Sequence, residues 1–383
     1  MPDFPTCADE LSLGWLQDQL SRIYPGSILE AFSLETIGIG QGFMGQLVRI
    51  QLNYQTHQVD LPESIIAKFA SPKPETRDLA AKMNYYGREI GFYRDFRSAP
   101  GIAIAACFAN EYDPETNHFV LLLEDLAPAT PTDQVEGNSD SESERVITEF
   151  AELHSYWWNS ESLLETSWTQ SLVGTQPISE TLELFLDSMR QAEETQRFAA
   201  YPEMQRLIPM LRPLFRMEPP PPFPFTLVHG DLRSDNIFFP RNGKGDFKVI
   251  DWQCAGIGQP MTDITRWMTQ SISVEQRRKT EHHLLKLYHR QLVKNGITNY
   301  SYKSMLNEYK LNLVVTLLMF SMSMDDIDQS SERAAPLFHA MYSRLDAALV
   351  DWEVEKILRI LPYLIPFMKL STWIKTKLAR PTP

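Results

Sequence analysis

Apolar and polar positions alternate in the early part of the chain. Val48, Ile50 and Leu52 interleave with Leu47, Arg49 and Gln51, the period-two pattern of a strand with one buried face. Similar patterning predicts strands over Phe32–Ile39, Gln46–Leu52 and Ser64–Ala70, the first two joined by a glycine-rich turn. Two more runs, Ile102–Asn110 and His118–Glu124, flank Tyr112-Asp113-Pro114-Glu115-Thr116, which carries turn chemistry, and so predict a hairpin. Between the third strand and this hairpin, Leu79, Met83, Tyr86, Ile90 and Tyr93 recur at helical spacing and predict one helix over Glu75–Phe96. An earlier helix is expected over Ala8–Leu20.

The character changes after Asp125. Residues Ala129–Glu144 are rich in Pro, Thr, Ser, Asp and Glu and read as a mobile acidic loop. Beyond it the pattern is helical: Val146–Trp158, Ser179–Phe198, Tyr201–Arg216, and from Asp263 onward with turns. The prolines at Pro219–Pro222 predict an extended spacer. The stretch Ile357–Leu378 is apolar with Lys369, Lys375 and Lys377 interspersed, and reads as a packed helix broken at Pro362 and Pro366 rather than a membrane-surface segment. The expected domains are a strand-rich N-lobe, 1–125, and a mainly helical C-lobe, 126–383.

Composition narrows the class. A chain of 383 residues with 43% hydrophobic and 22% charged residues is ordinary for a globular protein with a large core. The net charge of −13 argues against general nucleic-acid binding. Cys7, Cys107 and Cys254 are odd in number and lack metal-ligand spacing, so reduced thiols are expected. No signal peptide and no uninterrupted apolar run long enough for a membrane span are visible, and a cytoplasmic location is expected. Oligomeric state is not readable.

The chemistry concentrates in Leu227-Val228-His229-Gly230-Asp231-Leu232-Arg233-Ser234-Asp235-Asn236, followed by Lys248-Val249-Ile250-Asp251-Trp252. Two carboxylates and an amide oxygen thus sit at the ends of short apolar strands. Phosphoryl transfer needs such a set: one oxygen to receive a hydroxyl proton, two to hold magnesium against nucleotide phosphates.

His-Gly-Asp-x-x-x-x-Asn followed by Ile-Asp-Trp resembles the core of the aminoglycoside phosphotransferase and choline kinase superfamily. Ile250-Asp251-Trp252-Gln253, Gly258-Gln259-Pro260 and Asp263 are similar to its ecdysteroid kinase-like branch, over roughly residues 30 to 350. The resemblance implies an α+β, bilobal protein-kinase-like fold. It implies an ATP- and Mg²⁺-dependent kinase of a small-molecule alcohol: aminoglycoside-, choline-, steroid- or secondary-metabolite-like. GTP stays open as donor, because the hinge backbone selects the base.

In that frame Asp231 is the expected base, and Asn236 and Asp251 the magnesium ligands. Arg233 either steadies the phosphoryl group or makes a surface ion pair. Lys68 is expected to bind nucleotide phosphates, with Glu89 orienting it. Gly40 and Gly42 belong to the loop over the nucleotide; that loop ends in Gly45, where the family often has serine. Glu124 and Leu126 mark the hinge. His229 and Asp263 are expected to support the catalytic loop, and His154 to be a buried packing or hydrogen-bonding residue. Asp325, Asp326 and Trp267 are candidates for the acceptor pocket, with Asp328 and Glu332 nearby; a solvated acidic loop and a core tryptophan are the alternatives. Only eleven residues separate Asp251 from Asp263, too few for a peptide platform, which favours a small acceptor over a protein. A catalytically silent nucleotide-binding scaffold and a protein kinase remain the competing readings.

Overall fold

The computed structural model describes residues 2–37, 45–55, 61–96, 101–169, 178–212, 224–322 and 334–363, with the side chains of 178–185 and 321–322 set aside. The chain forms two compact units. One comprises Met1–Pro131 with Asn236–Ala255, the other Thr132–Asp235 with Gly256–Pro383.

The first unit is built on a five-stranded sheet of order β1-β2-β3-β5-β4. Its strands are β1 (Leu29–Ile37), β2 (Gly45–Tyr54), β3 (Ser64–Ala70), β4 (Cys107–Asp113) and β5 (His118–Glu124), and every neighbouring pair is antiparallel. One face carries Val48, Ile50, Ile65, Ala67, Phe69, Val120 and Leu122, which bury against Leu16 and Leu20 of α1 (Leu13–Ser21). Strand alternation then sends Lys68 to the opposite face. The first helix starts later than its pattern implied: Ser12 caps it by accepting from Trp15 N–H at 3.2 Å, and Ala8–Glu10 is a separate 3₁₀ turn.

The single helix expected over Glu75–Phe96 is two, α2 (Pro74–Lys82) and α3 (Tyr85–Asp95). Asn84 between them adopts φ +53°, a left-handed conformation that asparagine tolerates better than most residues and that no α-helix continues through. β4 likewise begins at Cys107, five residues later than expected, and its register shifts between Cys107 and Ala109.

The segment Asn236–Ala255, expected in the C-lobe, packs with the first unit. Its hairpin pairs β7 (Ile237–Phe238) with β8 (Lys248–Val249), and Val249 N–H donates to Ala103 carbonyl at 2.9 Å. Phe239 and Thr130 exchange main-chain bonds at 3.1 and 3.2 Å.

The second unit is mainly helical. α4 (Asp140–Tyr156) is followed by α5 (Glu161–Glu165), α6 (Ile178–Glu194) and α7 (Pro202–Leu211); α4 packs on α9 (Val274–Lys294), and α8 (Met261–Gln270) on α10 (Tyr302–Met322) and α11 (Ala334–Asp351). A two-stranded ribbon pairs β6 (Thr226–Val228) with β9 (Gly256–Gly258). Much of the expected acidic loop is ordered. Ser139 and Glu142 form a reciprocal capping box, so the acidic run from Asp140 is the first turn of α4, where it complements the helix dipole. Before it, Arg344 donates to the carbonyls of Gln134 and Val135 at 2.7 and 2.8 Å and to that of Gln270 at 2.6 Å. No described helix is long and apolar enough to cross a membrane.

Candidate active site

In the first unit, Lys68 lies on the face of β3 that α3 covers. Its Nζ sits 2.9 Å from Glu89 Oε1 and 2.7 Å from Oε2, and 2.8 Å from Asp251 Oδ1. The alternation that buries Ala67 and Phe69 on one side of the sheet turns the lysine to the other. Glu89, one residue before the buried Ile90, is itself fully buried. Burial opposes the Lys68 ammonium, but the charges of Asp251 and Glu89 outweigh it and hold its pKa above the ordinary lysine value. Burial pushes the Glu89 carboxyl up to about 7, against the pull of Lys68 and with the help of the Asp251 charge.

Asp251 is placed by the hairpin and by a tryptophan. Pairing of Ile237 with Val249 continues as Ile250 N–H donates to Asn236 carbonyl at 3.0 Å, which holds the two candidate ligands on neighbouring chain segments. Trp252 is fully buried and stacks on Phe92 of α3 at 3.9 Å, 6° from parallel, while its Nε1 donates to Val249 carbonyl at 3.3 Å. Asp251 itself has φ +64° and ψ +64°, a strained conformation of the kind that gathers at functional sites.

Asn236 and Asp251 fit magnesium. Both offer hard oxygens, and Mg²⁺ keeps several waters, so one or two carboxylates suffice. Gln253 Nε2 donates to Asp251 Oδ2 at 3.4 Å, while its buried Oε1 has no partner among the described residues. Among the described residues no group of three or more His, Cys, Asp or Glu is arranged around a metal position.

Gly45 explains one departure from the family's loop. A Cβ there would lie 2.6 Å from the Phe69 carbonyl oxygen, so a serine does not fit without backbone movement. Gly40 and Gly42 lie outside the described residues. The side chain of Glu124 is engaged: it accepts from Ala106 N–H at 3.0 Å and pairs with Lys248 at 3.3 Å. Leu126 is buried, and its carbonyl accepts from Ala129 N–H at 2.8 Å.

In the second unit, Asp231 follows β6 on a loop that turns at Gly230, φ +78°, where a Cβ would be strained. Asp263, fully buried on α8, anchors this loop. Its Oδ2 accepts from His229 N–H at 2.8 Å and its Oδ1 from Gly230 N–H at 2.8 Å. His154 Nε2 lies 3.2 Å from the same carboxylate, and His154 Nδ1 is 2.8 Å from Tyr288 hydroxyl. The buried His229 ring accepts from Asp231 N–H at its Nδ1, 3.2 Å away. His229 and His154 are thus hydrogen-bonded into the loop's support.

Both oxygens of Asp231 are engaged. Arg233 Nε donates to Oδ2 at 3.1 Å and Arg266 Nη2 to Oδ1 at 2.6 Å. Burial would raise this carboxyl's pKa, but Arg233, Arg266 and His229 hold it well below the usual carboxylate range. Arg233 also donates to Asp235 and Gln134, each at 3.1 Å.

The chain's family follows from a match over most of this machinery. A model described as the Ecdysteroid kinase-like family matches residues 39–299. The chain belongs to that family. No curated protein matches this ecdysteroid kinase-like chain in sequence. Among solved structures it is similar to a putative aminoglycoside phosphotransferase from Ralstonia eutropha JMP134, with 16% identity and TM-score 0.52 over 90% of this chain and 98% of that one. It is also similar to choline kinase LicA from Streptococcus pneumoniae, at 15% identity and TM-score 0.47 over 87% and 98% of the two chains. Macrolide 2'-phosphotransferase MphH from Brachybacterium faecium is similar at 13% identity and TM-score 0.44 over 86% and 97%. Only the first is close enough in shape to bear on the fold, and it shows a kinase-like phosphotransferase fold. The ecdysteroid kinase-like family is one of small-molecule kinases within that fold.

Of the remaining expected residues, Trp267 is fully buried in the core of the second unit and offers no surface to an acceptor. Asp325 and Asp326, with Asp328 and Glu332, lie outside the described residues, as do the proline spacer and the chain beyond 363. Arg266 was missed. It lies thirty-five residues beyond Asp231, and the only signal for it was a charged residue among Ile264, Trp267 and Met268 on a helix already anchored by Asp263.

Proposed function

We propose that this chain transfers the γ-phosphoryl group of ATP, bound with Mg²⁺, to a hydroxyl of a small molecule. The observation that carries the reading is the Lys68–Glu89–Asp251 cluster: one ammonium within 3 Å of two carboxylates, the second at the end of the strand that follows the catalytic loop. A lysine so held is preorganised for phosphate oxygens.

In this reading Lys68 binds the nucleotide phosphates and Glu89 fixes its position. Glu124 and Leu126 meet the base through main-chain groups other than the Glu124 N–H, which donates to the Ala106 carbonyl at 2.8 Å, and the glycine-rich segment with Gly40 and Gly42 is assigned to the phosphates. Asn236 and Asp251 would hold Mg²⁺, which would supply charge neutralisation for the phosphates. Asp231 orients the acceptor hydroxyl and receives its proton as the oxygen–phosphorus bond forms, while the nucleoside diphosphate leaves with the former bridging oxygen. His229 and Asp263 keep the loop in place. Between Asp251 and α8 the described chain holds one 3₁₀ turn and the three-residue β9, which leaves no platform for a peptide. GTP remains an alternative donor. A cytoplasmic setting suits the nucleotide and the thiols of Cys7, Cys107 and Cys254, which form no disulfide.

The test is incubation with ATP, Mg²⁺ and pooled alcohols (amino alcohols, aminoglycosides, steroids), with phosphorylated products read by mass spectrometry. A product made by the wild type and lost in Asp231→Asn supports the reading. Tight MgATP binding with no product across the panel would favour a silent scaffold.

A further inference from the structure

Asp231 is gripped by two guanidinium groups whose surroundings differ. Arg233 reaches Asp231, Asp235 and Gln134, so its donors have conventional oxygen acceptors and its charge is matched by a second carboxylate. Among the described residues Arg266 has one strong acceptor, Asp231 Oδ1. Its Nη1 points at the thioether of Met319 at 3.3 Å, a weak acceptor. Its buried Nε has no partner among the described residues. A guanidinium offers five N–H donors in a planar fork suited to oxyanions. An arginine left so under-satisfied beside a reacting carboxylate is suited to a second anion.

The backbone beneath it is fixed. Met261 N–H, at the start of α8, donates to Glu308 at 3.0 Å. Asp263 holds the catalytic loop, and Ile264, Trp267 and Met268 are fully buried. Any rearrangement of Arg266 is therefore one of its side chain.

We infer that Arg266, and not Arg233, is the oxyanion-binding residue at Asp231: an incoming phosphoryl or carboxylate oxygen takes the Arg266 guanidinium and frees Asp231 Oδ1 for the acceptor hydroxyl. The inference rests on the phosphotransfer reading and specifies the ligand chemistry of the same site. The oxyanion is either the phosphoryl group in transfer or an anionic group on the acceptor. A cationic head close to this carboxylate would meet Arg266 instead.

The test uses the full chain with inorganic phosphate as probe. In the wild type, the Arg266 Nε–H resonance, followed by ¹⁵N NMR, is expected to shift on titration. That readout needs no variant. Arg266→Gln is expected to weaken phosphate binding about tenfold or more, the effect of losing one charged hydrogen bond, and Arg266→Lys to recover part of it. A silent Nε resonance together with equal phosphate affinity in Arg266→Gln overturns the inference.

Turnover separates the two sources. If the oxyanion is the phosphoryl group, Arg266→Gln lowers kcat for every acceptor, leaves acceptor KM unchanged, and is partly rescued by added guanidinium. If it belongs to the acceptor, KM rises for anionic acceptors alone. Unchanged transfer in the variant overturns the inference and leaves the kinase reading standing. Phosphate binding through Arg266 in a chain that transfers nothing would sink the kinase reading alone.

Discussion

Replacing Asp263 by asparagine tests whether the loop bearing Asp231 is held from beneath. The carboxylate accepts from two main-chain donors, His229 N–H and Gly230 N–H, each at 2.8 Å, with no exposure to solvent. Asparagine has one carbonyl oxygen and can serve one of them; its NH₂ must face the other. The variant therefore loses one charge-assisted bond and leaves one buried donor unmatched, which together cost roughly 2–4 kcal/mol. His154, 3.2 Å from the same group, loses its charged partner as well. The urea midpoint, followed by tryptophan fluorescence, is expected to fall without a change in slope. Amide exchange at His229 and Gly230 should accelerate more than exchange in α9, because the damage is local. An unchanged midpoint with native protection at both amides would refute this account of the loop.

Trp252→Ala removes a fully buried ring stacked at 3.9 Å on Phe92 and is expected to cost about 3–5 kcal/mol in denaturant unfolding, with weaker magnesium binding as Asp251 loses its seat. Lys68→Met leaves the buried Glu89 without its cation; a loss of about 3 kcal/mol in stability and a weakened MgATP isotherm are expected. Burial raises Glu308, whose carboxyl accepts from Met261 N–H and Tyr300 hydroxyl, from 4.5 to about 7. The folded chain thus keeps a proton that the unfolded chain gives up near 4.5, and stability falls as pH rises from there to about 7. The loss is about 3 kcal/mol by neutral pH, and Glu308→Gln should flatten that part of the melting-temperature profile.

Short apolar runs with firm turn punctuation match the observed limits of β3 and β5, Ser64–Ala70 and His118–Glu124. Periodicity failed where one backbone angle decides. The stripe from Leu79 to Tyr93 continues across Asn84, so only its left-handed φ separates α2 from α3. The composition of the segment before α4 points to a loop, but Ser139-x-x-Glu142 is a helix start signal within that acidic run. Short fixed spacings single out Asp231, Asn236 and Asp251 as candidates in the sequence. Lys68 and Glu89 were legible because strand and helix periodicity turn them toward each other. Arg266 was not, since its contact with Asp231 spans thirty-five residues and depends on how α8 packs. Trp267 read equally well as core or as pocket wall, and burial decided it.

The most direct test pairs MgATP calorimetry with single-turnover phosphoryl transfer to an acceptor found in the pooled screen, for wild type, Asp251→Asn and Asp231→Asn. Asp251→Asn is expected to lose magnesium-dependent nucleotide binding. Asp231→Asn is expected to keep that binding and lose transfer by at least about a hundredfold. Transfer at the wild-type rate by Asp231→Asn, or undiminished MgATP binding by Asp251→Asn, would contradict the roles on which the account stands.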